Sequence, residues 1–358
     1  MNSKDPTTTP ERNDYLWDSS GTPDPEIQRL ESQLAEFRHD NRPLVLPETL
    51  QATNVRKALV VPLRLAAAAV VLLALGSVAY IAYKSSRPSE PQIAWDCSAL
   101  SGDPQIGSQT IFRENSSANF RVGQTLTTNA NSRAAIRQDD LGEIQVEPNS
   151  RVRLEQSGAN RKRIRLELGT IHAAIWAPPT EFVVDTPSAT AVDLGCAYTL
   201  QVNPDGSGTL RTTLGWVGFH LNGRDSFIPA GAMCLTRPGT GPGTPYFEDA
   251  SPYFREAVFA FDSSDSSSDA RARQLTIILE QARAKDALTL WHLLSRTDGS
   301  ERALVYDRLA TLVPPPDGVS RDGMLSLNHQ MLDRYWDALG LGRISVWRMW
   351  EQSGAPAS

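Results

Sequence analysis

The feature that most constrains this chain is a single uninterrupted apolar run. From Leu65 to Tyr83 it reads LAAAAVVLLALGSVAYIAY, nineteen residues without a charge or a proline. At ~1.5 Å per residue, a helix of this length reaches roughly 28 Å, enough to cross a bilayer's hydrocarbon core. A buried soluble helix as long as this ordinarily keeps a polar face. The flanks agree: Arg56, Lys57 and Arg64 precede the run, Tyr80 and Tyr83 sit near its far end, and Lys84 and Arg87 follow. The 57 residues ahead of position 58 do not suit a cleaved signal peptide. The expected element is therefore an uncleaved transmembrane helix over 58–84. Three basic residues against two is a narrow margin for orientation. The short N-terminal side adds weight to an N-in topology, with roughly 275 residues translocated.

Residues 1–57 divide in two. Met1–Asp14 is polar and rich in Pro and Thr, a composition that does not build a core. In the following LWDSSGTPDPEIQRLESQLAEFRHD, Asp24 can cap a helix with Pro25 in its first turn, and Ile27, Leu30, Leu34 and Phe37 recur at helical spacing. The pattern predicts one amphipathic helix over about Pro25–Arg38, with Tyr15, Leu16 and Trp17 as a hydrophobic anchor ahead of it. A helix this short is marginal alone in water, so its stripe needs a partner. Trp17, Ile27, Leu30, Leu34 and Phe37 are thus candidate partner-binding residues; juxtamembrane packing is the alternative. Arg42–Thr53 reads as a linker. His39 has no cysteine nearby, which excludes a zinc-binding module here.

Past the apolar run, 85–119 reads as a juxtamembrane β/linker region. Between Trp95 and Pro238 the apolar period becomes two, as in Ile164–Leu168, Ile144/Val146, Val152/Leu154, Phe182/Val184 and Leu200/Val202. Turn residues divide these runs about every ten positions, with Asp205-Gly206 and Asn222-Gly223 as strong hairpin signals. The expected fold over 120–238 is all-β: a sandwich, roll or solenoid of short strands. Gly123, Gly142, Gly169, Gly195 and Gly215 stand at strand entries, where a tight turn needs positive φ or close backbone approach.

These phrases carry a resemblance. FRVGQTLTTNANSRAAIRQDDLGEIQVEPNSRVRLEQ (Phe120–Gln156), then LELGTIHAAI, FVVDTPSATAVDLGCAYTLQV and GWVGFH, follow in order the phrases of the FecR family over about 120–237. The resemblance implies a membrane-anchored regulator in the bacterial inner membrane. Its N-terminus would be cytoplasmic and its C-terminal domains periplasmic. Its N-terminal segment would hold an extracytoplasmic-function sigma factor, and its outer part would meet a periplasmic or envelope partner. The chain departs from that pattern at both ends. Its N-terminal segment is shorter than usual, and its C-terminus lacks the small mixed α/β signalling domain of better-known members.

No motif for catalysis stands out. Asp139-Asp140 reads as a turn; His172 and His220 fall in strands with no third metal ligand; Asp193 and Cys196 imitate a nucleophile pair without a local His. No P-loop, dinucleotide fingerprint or G-x-S-x-G elbow occurs. The expectation is a protein that is not an enzyme and takes no cofactor or metal. Cys97, Cys196 and Cys234 leave two alternatives open, a Cys196–Cys234 bridge or small buried thiols. A net charge of -6 gives no reason to expect direct nucleic-acid binding. Arg161, Lys162, Arg163 and Arg165, alternating with Ile164 and Leu166, read as the wet face of a strand.

After a Pro/Gly/Ser-rich stretch at 239–268, read as a linker, residues 269–352 return to helical periodicity. Four or five amphipathic helices predict a small α bundle, with stops at Pro314-Pro315-Pro316 and Gly340. Trp291, Trp336, Trp347 and Trp350 suit core packing or a partner-facing patch. Two functions follow: a membrane-anchored regulator of the FecR type, or an envelope scaffold or binding protein with no transcriptional role.

Overall fold

One strand of fourteen residues, Lys162–Ile175, belongs to two sheets at once. Its first half pairs with Arg151–Ser157 and its second with Gly142–Val146. Side-chain parity changes on the way: Ile164 and Leu166 are buried in the first half, Ile171, Ala173 and Ile175 in the second. Parity changes only where a strand bends or gains a residue. Here Arg151 pairs with Leu168 while Val152 pairs with Leu166, so one residue is extra, and Gly169 follows at φ +93°.

The computed structural model describes residues 24–35, 73, 93–111, 117–263 and 268–352. Among them the chain divides into two units, 1–87 and 88–358. Of the apolar run Leu65–Tyr83 only Leu73 is described, so the expected membrane helix lies outside the described residues. Among the described residues no helix is long and apolar enough to cross a membrane.

The second unit opens with β1 (Trp95–Ser101), β2 (Gln105–Ile106), β3 (Gln109–Thr110), β4 (Ser117–Phe120) and β5 (Thr125–Thr127). Then come β6 (Arg133–Gln138), β7 (Gly142–Val146), β8 (Arg151–Ser157) and the shared strand β9 (Lys162–Ile175). Next are β10 (Phe182–Asp185), β11 (Thr190–Asp193), β12 (Ala197–Val202) and β13 (Gly208–Leu214). The series closes with β14 (Trp216–Leu221), β15 (Arg224–Pro229), β16 (Ala232–Arg237), β17 (Gly241–Pro242) and β18 (Tyr246–Phe247).

The first sheet runs β4-β1-β6-β7-β9-β12-β13-β16, with β17 and β18 on β16. The second runs β3-β2-β5-β8-β9-β10-β11-β14-β15, and its β9–β10 pair is parallel. From β6 onward the chain is laid down as antiparallel hairpins, β6–β7 and β12–β13 in the first sheet and β8–β9, β10–β11 and β14–β15 in the second, which is why turns recur so regularly in the sequence. Both sheets feed one apolar core, including Phe120, Ile136, Ile144, Val152, Leu166 and Phe182. The expected all-β region is present, and all five glycines named at strand entries have positive φ.

Two expectations need correction, and one choice left open is decided. Lys162 is not on a wet face: its side chain is 2% exposed, on the same side as Ile164 and Leu166, and its ammonium reaches Ala159 O at 2.7 Å and Glu181 at 3.2 Å. All three cysteines are free and buried, so the structure holds no Cys196–Cys234 bridge. The stretch read as a linker, 239–268, contains β17, β18 and a helix, Pro252–Phe261, whose Ser251 accepts from Phe254 N–H. A serine followed by proline is a helix-start signal that the surrounding Gly/Pro richness obscured.

With the N-terminal helix Pro25–Leu34 as α1, that helix is α2, followed by α3 (Ser268–Gln281), α4 (Ala287–Leu294) and α5 (Gly299–Leu312). Two helices follow, α6 (Arg321–Leu325) and α7 (His329–Leu339), the second started by Asn328, whose side chain accepts from Met331 N–H. Gly340 ends α7 in the left-handed conformation, and α8 (Ile344–Gln352) is last. Helices α2 and α3 pack together, as do α4 and α5. They are joined to the β domain by aromatic contacts rather than standing apart as a bundle.

Candidate protein-docking site

In the first unit, α1 begins as the sequence predicts: Asp24 accepts from Glu26 N–H at 2.9 Å and Pro25 fills the first turn. No residue of this helix is buried. Leu30 and Leu34 are 57% and 61% exposed, and Ile27 on the same stripe is half-buried. Trp17 and Phe37 lie outside the described residues, as does the predicted extension to Arg38. An apolar stripe at i, i+3, i+7 spacing, left open to solvent, is the form in which helices dock into partner grooves.

In the second unit, an aromatic cluster fixes the C-terminal helices to β14 and β15. Phe227 on β15 is its hub, with ring centroids 5.7 Å from Trp216, 5.9 Å from Trp291, and 5.2 Å from both Trp336 and Trp347. Edge-on and tilted pairs of this kind add about 0.5–1.5 kcal/mol each beyond their burial. His292 supports the hub: Phe227 N–H donates to its Nε2 at 2.9 Å, and its Nδ1 lies 2.8 Å from Leu288 O. Burial, with nearby Arg296, pushes the His292 pKa well down, which keeps the acceptor nitrogen unprotonated. Trp347 lies directly on Gly218 of β14, where any β-carbon would strike its ring. These tryptophans therefore do core work between sheet and helices.

A buried polar network reinforces the joint. Arg296 donates to Thr244 Oγ1, to Ser226 Oγ at 2.6 Å and to Asp225 O at 3.1 Å, while Asp262 accepts from Arg224 at 2.9 Å. Nearby, an open cleft of about 550 Å³ on the second sheet is lined by Glu155, Arg163, Arg165, Glu181, Asp185 and Trp350 among others. Within it Arg163 pairs with Asp185 at 2.7 Å and Arg165 with Glu155 at 2.6 Å.

The other candidates separate. His172 stands on β9 in the first sheet, His220 on β14 in the second, and the fold does not bring them together. Among the described residues, no three His, Cys, Asp or Glu side chains are grouped to hold a metal. Asp193 and Cys196 do meet, with the thiol donating to the carboxylate at 2.6 Å and Gly195 N–H donating at 2.8 Å. Both are buried. Burial, then the Asp193 charge, drives the Cys196 pKa far up, opposite to what a nucleophile needs.

Burial also pushes the Asp193 carboxyl up to about 7, against hydrogen bonds from Cys196 and Gly195 that act the other way. An acid whose folded pKa is raised favours its neutral form in the fold. Its stabilising effect is complete below the ordinary value near 3.8 and is lost as pH rises towards 7. Wild-type stability should therefore fall by of order 2–4 kcal/mol between pH 4 and 8 from this group. Asp193→Asn should flatten that slope and be the more stable protein at pH 8, as read from urea unfolding at both pH values.

Residues 124–215 match the model of the family described as FecR protein. That stretch is similar to a FecR domain. The match runs from β5 through β13 and stops at Gly215, short of the 237 suggested by the sequence phrases. The FecR-like stretch thus includes the shared strand β9 and its hairpins, whereas β14, β15 and the helices clasped to them lie beyond it. No curated protein matches the chain. Two crystal structures of a "putative anti-sigma factor" from Parabacteroides distasonis ATCC 8503, at 1.65 and 2.50 Å, each align with TM-score 0.31 and 14% identity over 38% of this chain. The chain spans 64% of the length of that protein's chain.

Proposed function

We propose that this chain is a single-pass membrane regulator. Its FecR domain lies on the periplasmic side, and its N-terminal segment holds an extracytoplasmic-function sigma factor through α1. The observation that carries this reading is the open Ile27–Leu30–Leu34 stripe, in a unit separate from the FecR domain. The FecR domain supports the regulatory class, and the run Leu65–Tyr83 supports the anchor between the two. A signal reaches the sigma factor only if two states of the chain bind it with different affinity.

The test is a pull-down of sigma factors of this class by the full-length chain, beside Leu30→Glu and Leu34→Glu variants. Wild type should capture one sigma factor. Each charged substitution should weaken capture at least about tenfold, since it places a carboxylate in an apolar groove. Capture indifferent to both substitutions removes α1 from the site. No capture at all, with the segment shown to be intact, favours the envelope-scaffold reading. Reporter fusions after Tyr15 and after Ser263 should report opposite sides of the membrane.

A further inference from the structure

On its outer face the first sheet carries two rows of side chains running across the strands. Backbone pairing aligns Glu143, Ala174 and Ala197 in one row, which Thr213 continues at a bulge in β13, and Gln145, His172 and Thr199 in the next. The alanines are short and their neighbours tall, which leaves a trough of about 430 Å³. With strands ~4.8 Å apart, four positions span about 14 Å. Trp176, just past the end of β9, closes one end.

Trp176 is 63% exposed, yet it is not loose: its indole N–H donates to Asp139 O at 2.9 Å. A tryptophan held open to solvent by a hydrogen bond is a platform already in position for a ligand. The polar walls are also preset. The Glu143 carboxylate accepts from Arg137 and from Gln145, both at 2.9 Å, while His172 Nδ1 lies 2.8 Å from Thr199 Oγ1 and its Nε2 3.4 Å from Glu147. Each charge in the trough has an opposite partner, so the surface favours a ligand without net charge.

We infer that this trough binds a neutral oligosaccharide, with a β-linked pyranose stacked on Trp176. A pyranose with equatorial hydroxyls presents a C–H face that lies flat on an indole. Its neighbouring hydroxyls can share a carboxylate, an amide, an imidazole and a threonine hydroxyl, and these are the groups along the walls. The alanine floor supplies the depth. A second copy of the chain suits the site less well, because a stable protein interface buries at least about 1,000 Å², far more than one Trp beside an alanine floor offers. This inference does not depend on the sigma-factor reading.

The test uses the full-length chain in a detergent without a sugar headgroup, titrated calorimetrically with chitotetraose and with cellotetraose. Saturable binding of at least one is expected. Trp176→Ala should weaken it by about tenfold or more while leaving the urea midpoint in place, and Trp176→Phe should retain most of it. Absence of saturable binding for both sugars overturns the inference, as does wild-type affinity in Trp176→Ala. Sedimentation is the second arm: self-association abolished by Trp176→Ala would assign the face to a second copy and overturn the sugar site.

Discussion

Trp336→Ala is expected to destabilise the second unit by about 3–5 kcal/mol, the range for emptying a fully buried tryptophan site. Trp336 is fully buried and touches Trp216, Phe227, Trp291 and His292 at centroid distances of 6.3, 5.2, 5.0 and 5.8 Å. Its removal also deprives Gly342 O of the indole N–H that donates to it at 3.1 Å. The void would open between sheet and helices, where neither side can collapse without breaking the Phe227–His292 hydrogen bond. The check is the urea midpoint together with near-UV circular dichroism, which reports ordered tryptophans. Loss of the aromatic signal before loss of β structure would show the helices releasing first. An unchanged midpoint would mean that the cluster does not hold the unit together.

Gly169→Ala is expected to cost about as much, for a different reason. At φ +93° an L-residue is strained by about 1–3 kcal/mol, and the added β-carbon would collide with the backbone and side chain of Ser150. Overpacking of that kind adds about 1–3 kcal/mol. Ser150 is itself engaged: its hydroxyl accepts from Thr170 N–H at 2.9 Å, on the far side of the bend. The collision thus falls on the junction that passes β9 from one sheet to the other. Gly195→Ala is the natural comparison. Gly195 has φ +87° but nothing within 4 Å of a new β-carbon, so only the strain should appear. Equal losses in the two variants, measured by urea unfolding, would show that crowding at Ser150 contributes nothing.

The start of α1 and its apolar stripe were legible because their signals are local. Asp24 and Pro25 announce the start of α1, and the spacing of Ile27, Leu30 and Leu34 announces its apolar stripe, all within one short segment. The same holds for the turn glycines and for the end of α7 at Gly340. What the sequence concealed depends on residues far apart in the chain. Nothing local in the sequence marks Phe227, whose partner His292 lies 65 residues away. Nothing local marks Trp176 either, and only the pairing of β7, β9 and β12 reveals the alanine floor beside it.

By itself the sequence determined the periodicities: one apolar run of membrane-crossing length, a region of period two broken by turn residues, and a helical C-terminal region. Each follows from a side chain's preference for its own backbone conformation and its near neighbours. The tertiary structure alone decided that β9 serves two sheets, that Lys162 points inward, that Asp193 and Cys196 meet while His172 and His220 do not, and that the helices are clasped to the β domain. Those outcomes rest on which distant segments share a buried face. That choice is set by the packing of the whole unit, and no short stretch of residues encodes it.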